Sequence, residues 1–158
     1  PRLVIPLSTV AAGFVNMMLS MLVVFAALIF SGIGLSRFVI TLPIVMGVQF
    51  LFVLGLVLIF SAVNVYFRDL QHILEIIVMA WFYVTPIVYT PGMVPQRLNW
   101  LLKINPMAGI VESYRNILYY KCMPDFSTLS LALLFGIIST VVGVVVFQRL
   151  QRGFAEEL

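Results

Sequence analysis

Charge is what this chain has least of. Only 9% of its residues are charged, whereas a soluble domain carries about 25%. Hydrophobic residues make up 63%, and the mean hydropathy is +1.15. No soluble core of 158 residues hides that many apolar side chains, so the bilayer is the expected solvent. The net charge of +3 is a small excess spread over loops, which argues against nucleic-acid binding. A single cysteine, Cys122, excludes an intrachain disulfide and any multi-cysteine metal site. A single histidine, His72, has no ligand cluster beside it, so no metal is expected and it reads as a loop residue at a membrane surface. The GxxxxGK[ST] phosphate loop is missing, as are an Asp-rich lipid-phosphate motif, a Ser/His/Asp set and a His/Glu metal pair. That argues against an enzyme and against a nucleotide or other cofactor on this chain. The opening Pro1-Arg2 is neither a methionine start nor a signal peptide, and it reads as the start of a fragment.

What is present is a set of long apolar runs. Four are expected to span, at about 3–30, 39–63, 73–89 and 129–147. The runs are continuous rather than alternating, which favours helices over a β-barrel. The expected fold is therefore an all-α, polytopic membrane helix bundle forming a single transmembrane domain over 1–158. Two glycines in "SGIGLSR" separate the first two spans. In the last span Gly136 with Thr140, and Ser139 with Gly143, place small residues one turn apart, a pattern for close helix packing. Four crossings put both ends on one side. Charge does not orient them: Arg2, Arg68, Arg149 and Arg152 face Arg37, Arg97, Lys103, Arg115 and Lys121 across the bilayer.

The long connection 91–127 is not a simple loop. "PQRLNWLLKI" places Pro95 at a helix start, and "NPMAGIVESYRNILYY" places Asn105 at an N-cap with Pro106 in the first helical position. Ile110, Val111, Tyr114, Ile117 and Leu118 recur on one helical face. Each segment is too short or too polar to cross, which suits two short re-entrant or interfacial helices.

The third run, "EIIVMAWFYVTPIVYT", combines an acid, aromatics and a proline. At about 100° per residue, Glu75, Phe82 and Tyr89 share a stripe with Pro86, and Trp81, Thr85 and Tyr83 flank it. Pro86 is expected to kink the helix, with the Thr85 hydroxyl re-satisfying loosened backbone. The plain alternative is a kinked packing helix with interfacial aromatic anchors. The functional reading is a conduit wall, because aromatic faces stack on sugar rings and tolerate different sugars. An acid at mid-helix costs about 3 kcal/mol on insertion scales. Glu75 sits early in the helix, so a helix-start role and a functional role weigh equally. Arg68 and Asp69 form the charged turn before it, either a capped turn or a docking surface.

Taken in order, "PRLVIPLS", "NVYFRDL", "WFYVTPIVY" and "NPMAGIVESYRNIL" carry a resemblance. The chain resembles the permease subunit of type 2 ABC exporters, most closely the branch that exports polysaccharides: O-antigen, capsule or wall teichoic acid. The resemblance implies six spanning helices in the bacterial inner membrane with cytoplasmic termini, of which this chain would hold the last four. Pro1-Arg2 would be the tail of a Phe-Pro-Arg signature. It implies that Arg68 and Asp69 face a separate ABC ATPase that binds ATP and magnesium. It makes 91–127 a gate region on the external side, with Pro95, Asn105, Pro106, Tyr114 and Arg115 in it. It places Trp81, Phe82, Tyr83 and Tyr89 along the conduit for a lipid-linked glycan, and it implies a second permease copy. A drug or small-lipid exporter is the close alternative; a channel or a structural membrane subunit is the more distant one.

Overall fold

The computed structural model describes residues 3–67 and 69–151. Its helices are α1 (Val4–Phe30), α2 (Leu42–Asn64), α3 (Leu70–Val84), α4 (Asn99–Ile104), α5 (Pro106–Leu118) and α6 (Phe126–Leu150). Short 3-10 turns precede α2 and α4. No strand occurs among the described residues, in keeping with an all-α membrane bundle.

Among the described residues, three segments are long and apolar enough to cross a membrane: Val4–Phe30, Arg37–Asn64 and Phe126–Leu150. The run expected to span at 73–89 is different. It becomes α3, which has 15 residues and is therefore about 22 Å long at ~1.5 Å per residue. That falls short of a hydrocarbon layer of about 30 Å. Nor is Pro86 a kink within a longer helix. The helix stops at Val84, and Thr85 turns to extended backbone with ψ 133°. The cause is local: the ring of a proline disfavours helical geometry in the residue before it.

The bundle is built on the pair α2 and α6, which touch along most of their length. Glycine makes this approach possible. A Cβ on Gly55 would overlap the backbone of Ser139 and Thr140, and one on Gly143 would lie 2.7 Å from the Gly55 carbonyl oxygen. Gly136 sits against the Phe52 backbone, and the Thr140 hydroxyl donates 2.8 Å to the Leu51 carbonyl. The small residues of α6 thus face α2, where van der Waals contact replaces the hydrophobic drive that lipid cannot supply.

One end of the bundle gathers Leu3, Val65, Tyr66 and Leu150 around buried Leu58, Ala62 and Phe147. The Tyr66 hydroxyl donates 2.8 Å to the Leu150 carbonyl there. The opposite end buries Leu42, Ile117 and Leu129 with Phe25 and Phe38 beside them. The described chain therefore begins and ends at the same end, together with the α2–α3 turn. From that turn α3 climbs toward the middle of the bundle.

The return to α6 is made by a hairpin. Helices α4 and α5 meet at Asn105, whose extended backbone, ψ 109°, makes the bend. The α5 helix ends beside Leu42 and Leu129, so the hairpin leaves at the end opposite the termini. Its tip lies beside Phe52 and Ser139, near the midpoints of α2 and α6. On α5 the residues turned inward are Ala108, Gly109, Ile110, Ser113 and Ile117, with Gly109 against the Thr128 carbonyl. Val111, Tyr114 and Leu118 are only half-buried at the edge of that face.

Candidate functional site

The end of α3 and the tip of the hairpin form one polar knot. Asn105 is its centre and is buried. Its Oδ1 accepts from the Trp81 indole N–H at 2.9 Å and from the Met107 backbone N–H at 3.0 Å. Its Nδ2 donates to the Thr85 hydroxyl at 3.1 Å. One amide thus caps α5, as the Asn-Pro dipeptide implied, and holds the last turn of α3 as well. Every polar atom of the amide is used, which suits a site where an unpaired group in hydrocarbon is expensive.

Arg115 closes the knot from the other side. Its guanidinium donates 2.6 Å to the Pro86 carbonyl and reaches the carbonyls of Ile87 and Tyr89 at 3.4 Å. The same side chain pairs with Glu112 at 2.9 Å. The backbone beyond Val84 has left the helix, so its carbonyls lack helical partners, and the guanidinium fork supplies one. Tyr114, one residue away, donates 2.6 Å to Gln49 Oε1 on α2. Gln49 is a polar residue inside an apolar helix, and sequence reading passed over it although that isolation was a signal.

The residues expected to form the gate therefore separate. Asn105 and Arg115 come together with Thr85, Pro86 and Trp81, Pro106 follows at the start of α5, and Tyr114 bonds Gln49 on α2 instead. Pro95 is exposed, outside the knot, at the start of the 3-10 turn Gln96–Leu98. The aromatic residues separate too. Trp81 turns into the bundle, edge-on to Phe52 with ring centroids 5.9 Å apart. Phe82 and Tyr83 point outward, 44% and 68% exposed, and pack edge-to-face on each other at 5.6 Å. Tyr89 lies beyond the helix, so it is not on the stripe of Glu75 and Phe82; its hydroxyl donates back to the Val84 carbonyl at 2.8 Å.

Helix α3 buries none of its own residues. Between it and α6, with α2 as floor, runs an open apolar groove of about 700 Å³ lined by Phe52, Ile77, Trp81, Phe135 and Ile138 among others. At the other end of α3, Asp69 occupies the N-cap position but makes no side-chain cap bond. Glu75 is exposed, 3.9 Å from His72. Arg68 lies outside the described residues. Among those described, no three His, Cys, Asp or Glu side chains gather to hold a metal ion.

Long apolar crossings, a broken helix and a hairpin with its polar tip at mid-depth define a multi-pass membrane protein. The chain belongs to the ABC-2 type transporter family, whose model matches residues 1–119. It is similar to an O-antigen export system permease protein RfbA of Klebsiella pneumoniae, at 34% identity over 159 residues. A second protein of that name from the same organism is 35% identical, and one from Myxococcus xanthus is 29% identical. Each match covers 100% of this chain but only 61% to 62% of the relative, so the chain spans less than two thirds of their length. No solved structure matches.

Proposed function

We propose that the chain is part of the membrane-spanning permease of an ATP-driven exporter that carries a lipid-linked polysaccharide out across the bacterial inner membrane. A separate ABC ATPase binds ATP and magnesium and drives it, docking at the end that holds Asp69 and the chain's two described ends. That end is cytoplasmic in this reading. A second permease copy completes the conduit, because one bundle of this size encloses no passage wide enough for a glycan. ATP binding does work only by favouring one of two permease conformations over the other.

The observation that carries this reading is the outer face of α3. Phe82 and Tyr83 stand exposed on a helix with no buried residue, beside a hairpin rooted at the opposite end. Support for the cargo comes from relatives named for O-antigen export that align with the whole chain. Aromatic faces give sugars a sliding surface without fixed hydrogen-bond geometry.

Replacing Phe82 and Tyr83 together by alanine is expected to lower surface glycan about tenfold, as two ring contacts of ~1 kcal/mol or less each allow. Protein level and ATPase assembly should stay unchanged, since neither ring is buried. Blots of surface glycan normalised to permease check this. Unchanged export would reduce the rings to lipid-facing side chains.

A further inference from the structure

We infer that Asn105 is a positioning residue: through Trp81 and Thr85 it fixes how α3 is rotated about its own axis. The inference rests on the conduit reading above for its consequence in export, but its geometry stands apart from it.

A helix packed along its length takes its rotation from interdigitated side chains. That source is weak in α3, which buries no residue. What remains is its last turn. There the Trp81 ring seats edge-on to Phe52 while its N–H is held by Asn105, and the Thr85 hydroxyl is held by the same amide. Residues follow one another at about 100° around a helix, so locking Trp81 inward sends Phe82 and Tyr83 to the outer face. Their exposures, 44% and 68%, agree with that geometry.

The anchor itself is firm. The α5 helix is bedded on α6 through Gly109 and Thr128 and buries Ile110 and Ile117 completely. The Asn105 amide has one workable orientation, because a flipped amide would set its NH2 against the N–H groups of Trp81 and Met107. Cap and anchor are therefore the same atom, Oδ1, and the two roles are separable by side-chain length.

Asn105→Ser keeps an N-cap for α5 but is too short to reach Trp81 and Thr85; Asn105→Asp keeps the cap and the acceptor. Both are made in the full-length permease with its ATPase, with Trp100→Phe and any tryptophan outside this segment replaced, so that Trp81 alone fluoresces. In the serine variant, acrylamide quenching of Trp81 is expected to rise at least about fivefold, the factor that loss of the Trp81 bond alone allows before the Thr85 bond is counted. Surface glycan should fall with it, and the aspartate variant should restore both. Thr85→Val leaves the cap untouched and should give a smaller rise in quenching, so the inference remains testable if the serine variant fails to insert. Quenching unchanged in the serine and valine variants would overturn it. Quenching that rises while glycan export holds would keep the positioning role and count against the conduit reading instead.

Discussion

Gly143→Val is expected to strip the chain from the membrane almost completely. The γ-carbons of valine find no space, because even a Cβ at this position would sit 2.7 Å from the Gly55 carbonyl oxygen and 2.9 Å from the Leu58 Cβ. Both neighbours belong to α2, whose backbone cannot move aside without opening the central helix pair. Forced overpacking costs about 3 kcal/mol, and here it strikes the contact on which α1 and the α4–α5 hairpin are assembled. Gly47→Ala is the matched control: no atom lies within 4 Å of its Cβ, so it should accumulate normally. Membrane-inserted protein measured by fluorescence-detected size exclusion, with the melting temperature of the detergent-purified form, checks both. A Gly143→Val protein as abundant and as heat-resistant as Gly47→Ala would mean that α2 and α6 do not approach this closely.

Arg115→Ala should abolish most export while leaving the protein folded. The guanidinium binds the Pro86 carbonyl at 2.6 Å and pairs with Glu112 at 2.9 Å, and its side chain is only 16% exposed. Truncation leaves a carbonyl and a carboxylate without their partner, each worth about 1–3 kcal/mol. The chain from Thr85 to Thr90 would then come loose from the hairpin, and α3 would keep only its bonds to Asn105. Lysine carries the charge but not the fork, so Arg115→Lys should retain the Glu112 pair and recover only part of the export. Export assayed as surface glycan, with permease level held constant by blotting, distinguishes the three proteins. Full activity in the alanine variant would show that the segment after the helix break is held by other means.

Much of this architecture could be read in the residues, because the constraints that set it are local. Apolar run length marks α1, α2 and α6. Asn105 followed by Pro106 marks the start of α5, and the small residues of α6 mark its packing face. The helix break at Thr85 was also written locally: a residue before proline avoids helical geometry, and here that preference wins over the continuous apolar run to Tyr89. The inward turn of Trp81 was not legible. Helix α3 carries Gln71, His72 and Glu75 in its first half, but its second half, Ile76–Val84, is apolar on every side, so periodicity there does not say which face meets protein and which meets lipid. The knot itself joins residues 20 to 29 positions apart, and the Gln49–Tyr114 bond joins residues 65 apart. Such pairings depend on how deep the hairpin reaches, which the lengths of its short helices do not set.

In the proposed exporter the outer face of α3 borders a water-filled passage rather than lipid. The direct measurement is the rate at which a membrane-impermeant maleimide labels Tyr83→Cys, made in a Cys122→Ser background of the full-length permease with its ATPase in membranes. Leu22→Cys, on the exposed side of α1, is the reference for lipid contact. Position 83 should react at least about tenfold faster than position 22, since a thiol in hydrocarbon meets neither water nor reagent, and glycan in transit should slow it. Equal, slow labelling at the two positions would place the rings of α3 in lipid and contradict the account.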